Sequence, residues 1–431
     1  MNTAELDLRD LSRVCRDLAR SEITSMPAMA GRFGPGGTEP GVIDWSASGL
    51  GLDSLASMQL ATAAATWCNA FDKGFEDLFL AKRNTIDWAA AMHRVATLGG
   101  RHLVFSTSGS TGMRKHIRHQ LGRLMDEARG WASLLQIGEQ HEAGDSRAER
   151  IQIQRVVTLA PTHHIYGFIW GVLVPKALGV PAIDASLQAF PPLLSGDLVV
   201  AVPDQWAWLA KAEHTTHGWP VNVKGVSSTA PLPAAVHRLL TASALRFNAV
   251  GEARKPPLAQ LLHIYGSAET AGLAWRDDPD QPYTLAAGRR RTAANGIALE
   301  QPGDAPAELA VQDQLDWVDP LRFRVVARLD QCVQVAGHNV SPAWVAAQLA
   351  SHASVARAAV RLTSSVDSSA VSPRLKAFIV LKHTSAATAA QQVEAWAAEH
   401  LPWYANPGSF TYGQALPQNS MGKLCDWPTL A

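Results

Sequence analysis

The first hundred residues carry apolar side chains at helical spacing. Leu6, Leu8, Leu11, Val14, Cys15 and Leu18 recur among Asp, Arg and Glu, which predicts an amphipathic helix over residues 4–21. A Pro- and Gly-rich stretch follows from Pro27 to Pro40. In Leu50-Gly51-Leu52-Asp53-Ser54-Leu55, Asp53 or Ser54 can then cap a second helix carrying Leu55, Met58, Leu60 and Trp67. A short element near Phe75–Leu80 and a helix through Thr85, Ile86, Trp88 and Met92 complete an all-helical region, 1–98. From residue 99 the pattern changes. Leu103-Val104-Phe105 and Ile151–Leu159 read as buried strands, and Leu121, Leu124, Met125, Ala128, Trp131, Leu134 and Leu135 as a helix on a core face. Ala177–Ala182, Asp197–Pro203 and Trp206–Leu209 alternate helix, strand and helix, and Leu262–Tyr265 is another strand, so residues 99–329 predict an α/β core. Beyond it, Cys332–Ala336, Val355–Leu362 and Leu375–Leu381 read as strands, and Pro342–Ser351 and Ala389–His400 as helices. They predict a small α+β domain over 330–431.

Composition narrows the classes of partner. A chain of 431 residues exceeds one simple core. Its 38 basic and 38 acidic side chains balance, so no global field favours nucleic acid or an anionic membrane. Cys15, Cys68, Cys332 and Cys425 lie far apart without metal-ligand spacing, which argues against a disulfide framework or a zinc site. No apolar run reaches the roughly 18 residues of a membrane span. These features predict a soluble, cytoplasmic protein.

Chemistry concentrates where strands run into polar loops. Ser106-Thr107-Ser108-Gly109-Ser110-Thr111-Gly112-Met113-Arg114-Lys115 follows the first strand. Its hydroxyls, turned backbone N–H groups and lysine can converge on one anion, a phosphate cradle. The glycine spacing is not that of a P-loop NTPase, and Ser/Thr/Gly clusters also make plain surface loops. Pro161-Thr162-His163-His164-Ile165-Tyr166-Gly167 sets an imidazole and an aromatic ring at a strand end, where ligands often sit in open α/β sheets; no third ligand has metal spacing. Tyr166 also suits simple core packing. Gly225–Leu232, including Ser228, Thr229 and Ala230, is small and flexible.

These segments resemble, in order, the adenylate-forming (ANL) superfamily of acyl- and aryl-CoA synthetases, peptide-synthetase adenylation domains and luciferases. The Ser106–Lys115 string is similar to its nucleotide loop. The Pro-x-x-His-x-x-Gly segment implies that His164 and Tyr166 line an acid pocket, and Ser228-Thr229-Ala230 matches the small-residue segment beside substrate and adenine. Tyr265-Gly266-Ser267-Ala268-Glu269-Thr270 resembles the motif whose Tyr stacks on adenine and whose Glu holds Mg2+. Ala268 replaces the usual Thr; Ser267 or Thr270 can compensate. Read from sequence alone, Glu269 is otherwise a carboxylate at a helix start. Asp313, fifteen positions before Arg328, matches the ribose-binding Asp, with Asp316 and Asp319 as close competitors. Arg328-Leu329-Asp330 resembles the hinge, with Asp330 the pivot, Gly337 matches the loop entering the thiol tunnel, and Lys423 falls on the catalytic lysine of Pro-x-x-x-x-Gly-Lys.

The resemblance implies an ATP- and Mg2+-dependent ligase with a mobile C-terminal lid. It would activate a carboxylic acid as its acyl adenylate and pass it to a phosphopantetheine thiol, on CoA or an acyl carrier protein. The short form resembles the hydroxybenzoate ligases of aryl polyene and xanthomonadin synthesis, implying a small aromatic acid. Gly-Leu-Asp-Ser-Leu resembles the attachment motif of acyl carrier proteins, making Ser54 a candidate phosphopantetheine site within a carrier-like region; a plain helix cap is the alternative. Two other classes remain: a carrier or docking module with a degenerate ligase body, and an unrelated nucleotide-binding regulator.

Overall fold

The computed structural model describes residues 6–26, 41–108, 114–136, 152–211, 219–220, 222–241, 258–294, 296–300, 306–329, 332–363, 373–382, 386–417 and 424–427. The chain divides into two compact units, one of residues 1–106, 116–310 and 318–322, the other of residues 107–115, 311–317 and 323–431.

The first unit opens with α1 (Leu8–Ser25), α2 (Ser54–Trp67), α3 (Asp77–Leu80) and α4 (Thr85–Thr97). Asp7 caps α1 in a capping box with Asp10, and Asp53 caps α2 by accepting the Ala56 N–H at 2.8 Å. Leu60 and Trp67 face inward, whereas Leu55, Met58 and, on α4, Ile86 are exposed. Helix α2 is apolar nearly all round, so periodicity selects no face; it buries Ala61, Ala64 and Ala65. Trp45, between α1 and α2, is fully buried against Trp88 with ring centroids 4.5 Å apart. The helical region does not stand apart: its side chains share one core with Phe105, Met125, Trp131, Phe168 and Trp170.

Strands β1 (His102–Ser108) and β2 (Arg114–Gln120) pair, and α5 (Leu121–Gln136) follows. Next come β3 (Arg155–Thr158), α6 (Ile165–Phe168), a π-helical turn at Ile169–Leu173, α7 (Val174–Leu178), β4 (Ala182–Asp184), β5 (Asp197–Ala201), α8 (Pro203–Lys211), β6 (Lys224–Ser227), α9 (Ala234–Thr241) and β7 (Gln260–Ser267). Strands β4, β3, β5, β6 and β7 lie side by side in parallel; β8 (Ala271–Arg276) and β9 (Tyr283–Leu285) extend them antiparallel. Both faces are covered. Val156, Leu198, Val200, Val226 and Leu262 enter the core shared with the N-terminal helices, while Val157, Val199, Ala201 and Leu261 pack with Trp206, Leu209 and Leu240. That is why Asp197–Ala201 reads as an unbroken apolar run after its first residue. A small antiparallel sheet of β10 (Arg289–Arg291), β11 (Ile297–Leu299) and β12 (Ala307–Leu309) follows.

A buried histidine pair joins α9 to β7: His237 Nδ1 lies 2.9 Å from His263 Nε2. Burial, then His237 and Arg276, push His263 down to about 3. Burial also lowers His237, with Arg276 and Arg238 acting the same way against Asp278 and Asp277. In the unfolded chain both titrate near the ordinary value of about 6.5. The folded pair stays neutral, so its contribution is complete above that value and is lost as pH falls toward 3, at up to about 1.4 kcal/mol per unit per site. Thermal unfolding followed from pH 7 to pH 4.5 is expected to show a falling midpoint, with a shallower slope in His263→Gln.

In the second unit, β13 (Asp313–Trp317) and β14 (Arg322–Arg328) are antiparallel, and β15 (Val333–Val335) and β16 (His338–Val340) form a hairpin through Ala336 and Gly337. Helix α10 (Pro342–Ser351), β17 (Val355–Leu362), β18 (Leu375–Leu381), α11 (Ala386–His400) and β19 (Ser409–Tyr412) complete an α+β unit; α11 carries the chain from β18 to its parallel neighbour β19. Its core includes Val335, Val345, Leu349, Ile379 and Val393.

Candidate active site

Because β3, β5, β6 and β7 are parallel, the segments leaving their carboxyl ends emerge at one edge of the first unit. These are Pro161–Gly167, Val202-Pro203, Ser228–Ala230 and Ala268–Thr270. Polar bonds stitch them together. The Tyr166 hydroxyl bridges Ala201 O at 3.0 Å and Val226 O at 2.9 Å, and Ser228 Oγ donates to Ile264 O at 3.0 Å. Burial holds the Tyr166 phenol well above its ordinary value, so it stays a donor.

Within the first segment, the His164 N–H closes onto Pro161 O at 3.2 Å and the Phe168 N–H onto His164 O at 2.8 Å. A Cβ at Gly167 would lie 2.1 Å from Pro161 O, which gives the Pro-to-Gly spacing its physical reason. His163 is buried and His164 exposed, with ring centroids 4.0 Å apart. Among the described residues no group of three or more His, Cys, Asp or Glu could hold a metal ion.

Thr229 has left-handed backbone (φ 78°), unusual for a β-branched residue. Its Oγ1 is buried with no hydrogen-bond partner among the described residues. Ala230 beside it is half-buried.

Tyr265, Gly266 and Ser267 end β7, and Ala268-Glu269-Thr270 is a turn into antiparallel β8 rather than the start of a helix. The short apolar strand Ala271–Ala274 lets the chain reverse and pair back on β7 instead of coiling. A Cβ at Gly266 would meet Ala271 O at 2.0 Å. Thr270 Oγ1 accepts the Ser267 N–H at 3.0 Å and donates to Ala271 O at 3.0 Å, so of the two candidates to replace a lost threonine hydroxyl, Thr270 is committed inside the turn. Ser267 and Glu269 are half-exposed, and Tyr265 lies 5.5 Å from Tyr283, ring to ring.

The stem of the Ser106–Lys115 loop is strand: Ser106, Thr107 and Ser108 end β1, and Lys115 is an exposed residue near the start of β2. Ser106 Oγ meets His116 Nδ1 at 3.0 Å. Gly109, Ser110, Thr111 and Gly112 lie outside the described residues, as do Asp330 and Lys423.

Three further contributors belong to no motif of the sequence. His119 Nε2 lies 2.6 Å from Ala268 O, tying β2 to the Glu269 turn; burial lowers its pKa, against Ala268 and Glu269. Glu127 accepts the Gly272 N–H at 2.9 Å and the Trp131 Nε1–H at 3.0 Å, and pairs with Arg289 at 2.6 Å. Asp17 accepts from both the N–H and the hydroxyl of Thr162. Apart from Trp131, each partner is far away in sequence, and only the run Lys115-His116-Ile117-Arg118-His119, four polar side chains about one isoleucine after the glycines, carried a local signal.

In the second unit, Asp313 and Arg328 are direct cross-strand partners, with Oδ1 and Nη1 3.9 Å apart, so their fifteen-residue offset is a hairpin register. Asp316 pairs with Arg324 in the same ladder. Asp319, in the first unit, spends Oδ1 on the Leu321 and Arg322 N–H groups and Oδ2 on Arg322 Nε at 2.6 Å, which weakens its claim as a free acceptor. Gly337 is exposed at the hairpin tip (φ 81°), and the adjoining His338 ring stacks on Tyr404 at 3.9 Å.

An open parallel sheet whose strand ends carry these segments defines an adenylate-forming fold. The comparisons agree. The structure superposes on o-succinylbenzoate CoA synthetase of Bacillus subtilis (TM-score 0.53, 17% identity, 75% of this chain and 67% of that one). It also superposes on the amide bond synthetase McbA of Marinactinospora thermotolerans (TM-score 0.55, 17%, 74% and 67%). At such identities the likeness speaks for the fold. No family model matches the chain. In sequence, it is 34% identical over 386 residues to a 4-coumarate–CoA ligase of Cereibacter sphaeroides, covering 88% of this chain and 84% of the relative. Another, of Halorhodospira halophila, is 34% identical over 377 residues, covering 86% and 87%. The chain belongs to the adenylate-forming superfamily, and within it to the family of these CoA ligases.

Proposed function

We propose that the chain is an AMP-forming acid–thiol ligase that activates a small carboxylic acid as its acyl adenylate and transfers the acyl group to CoA. The observation that carries this reading is the convergence of His164, Thr229 and Glu269 on the carboxyl ends of β3, β6 and β7, parallel strands of one sheet in which β5 separates the first two. Thr229, with strained backbone and an unmatched buried hydroxyl, supports it: such strain concentrates at ligand sites, and the hydroxyl is a donor held for something else.

In the first half-reaction a carboxylate oxygen attacks the α-phosphorus of ATP; the new O–P bond forms as the bond to pyrophosphate breaks. In the second, the thiol sulfur, losing its proton, attacks the acyl carbon, and the C–S bond forms as AMP leaves. Charge gathers around phosphorus in the first step, so positioned donors and cations lower its barrier. The loop from Ser106 to Lys115 holds the leaving phosphates, Tyr265 stacks on adenine above Gly266 and Ser267, Asp313 accepts from ribose hydroxyls and Arg328 orients that carboxylate. His164, Ser228, Thr229 and Ala230 bound the acid, with Tyr166 as a fixed aromatic wall. Glu269, a single half-exposed carboxylate, suits Mg2+, which takes one or two protein carboxylates beside substrate phosphates and would offset their charge. Lys423 meets the carboxylate and α-phosphate, Asp330 is the pivot of a lid formed by residues 330–431, and Gly337 lines the path of the thiol.

The finer reading is a small aromatic acid such as a hydroxybenzoate, with a carrier protein's phosphopantetheine thiol as alternative acceptor. Ser54 is exposed at the start of α2, roughly 20 Å along the helix from Trp67, which donates to His163 O. ATP–pyrophosphate exchange across benzoic, hydroxybenzoic, coumaric and fatty acids, with Mg2+, is expected to select an aromatic acid, and that acid should form a thioester with CoA. Exchange with none of them would overturn the reading; intact mass after incubation with a phosphopantetheinyl transferase decides Ser54.

A further inference from the structure

We propose that Asp17 is a positioning residue for the His163-His164 turn, and that the N-terminal helices form a fixed wall behind the acid-binding segment. Asp17 Oδ2 accepts both the N–H and the Oγ1–H of Thr162, each at 2.7 Å, and Thr162 is wholly buried. Helix α2 holds the next residue, because Trp67 Nε1 donates to His163 O at 3.1 Å. Beyond His164, Arg13 Nη1 donates to Gly171 O at 2.7 Å in the π-helical turn, and Arg13 and Arg16 both pair with Asp184 at the end of β4. Four polar bonds between the helical region and residues 162, 163 and 171 thus lie on either side of His164.

The chemistry of these bonds makes Asp17 more than a packing contact. One carboxylate oxygen fixes the backbone N–H and the side chain of the same residue, so the Pro161–Thr162 peptide, two residues before His164, has a single orientation. Burial and then the nearby Asp184 raise the Asp17 carboxyl above its ordinary value, and the two Thr162 bonds and Arg16 act against them. Without Asp17 the buried N–H and hydroxyl of Thr162 lose their acceptor, and the chain between Pro161 and His164 must turn to find another. Two residues on, His164 would shift with it. The opposite side of the site, at Ala268–Thr270, is held by His119 and Glu127 and does not depend on Asp17. A region bound to the sheet in this way keeps Ser54 at a fixed place rather than on a free carrier.

The kinetic consequence rests on the ligase reading; the structural one does not. In Asp17→Ala, amide hydrogen exchange should speed up in residues 159–168 and stay unchanged in residues 265–270. With the acid found by pyrophosphate exchange, its KM should rise at least tenfold while KM for ATP stays within twofold, and Asp17→Asn, which keeps a carbonyl oxygen as acceptor, should restore most of the loss. Unchanged exchange at 159–168 in the folded variant overturns the proposal, as does an equal rise in both KM values. Faster exchange at 159–168 in a protein whose native form activates no acid leaves the positioning role standing and removes the ligase reading. Should Asp17→Ala fail to fold, Thr162→Val, which deletes one of the two bonds, should show the same signature at about threefold, and its absence is equally decisive.

Discussion

Lys423→Ala is expected to lower acid-dependent ATP–pyrophosphate exchange by about 10²–10³-fold, the scale of removing one preorganised donor from a centre of developing charge. The same variant should convert added acyl adenylate to thioester at close to the native rate. The first half-reaction brings an anionic carboxylate onto an anionic α-phosphate and gathers charge around phosphorus, where a cation lowers the barrier; the second expels AMP from an already activated acyl group without that encounter of two anions. Lys423 itself lies outside the described residues, but both flanks of its segment are fixed. The Cys425 N–H donates to Pro417 O at 2.7 Å, and Arg361 Nη2 to Leu424 O at 2.6 Å. Lys376, wholly buried in β18, donates to Trp427 O at 2.6 Å and pairs with Asp426 at 3.0 Å. Rapid-quench measurement of each half-reaction separates the outcomes, and equal loss in both would remove Lys423 from its assigned role.

What the sequence disclosed, and what it hid, follows from the range of the forces involved. Strands such as Asp197–Ala201 and Leu375–Leu381 announced themselves because burial on both faces demands consecutive apolar residues. Loop segments such as Pro161–Gly167 were legible because short-range sterics fix their spacing, as the approach of Gly167 to Pro161 demonstrates. Helix α2 misled over Leu55 and Met58, since an almost wholly apolar helix has no face written into it. The Glu269 turn misled differently: a helix start and a hairpin turn share a polar, small-residue composition, and only pairing with β8 decides between them. Least legible were charges that act across the fold. Glu127 sits among Asp126, Arg123 and Arg129 like any residue of a solvated helix face, yet it is buried against Arg289, 162 positions away.

That pair carries the other large effect. Glu127→Ala is expected to cost about 3–5 kcal/mol of stability, the range for removing one partner of a buried ion pair. Side-chain exposure is 5% for Glu127 and 9% for Arg289. Burial raises the Glu127 carboxyl above its ordinary value even though Arg289, Trp131 and Gly272 all pull it down. Desolvation therefore outweighs the partners, and the pair contributes little net stability of its own. The loss in the alanine variant comes from what stays behind, a buried guanidinium without its carboxylate and the Gly272 and Trp131 N–H groups without an acceptor. It follows that Glu127→Met with Arg289→Met, which removes both charges and fills their volume, should regain the part of the loss that comes from the unpaired guanidinium but not the part from the Gly272 and Trp131 N–H groups, whereas independent sites would add their costs. Because Gly272 is two residues beyond Thr270, the double variant should still bind ATP more weakly than the native protein, its turn having lost an anchor while its core recovered. Urea unfolding of the native protein and the two variants, with KM for ATP beside each midpoint, tests both halves; a Glu127→Ala cost below about 1 kcal/mol would mean that water reaches the guanidinium and the pair is not buried in solution.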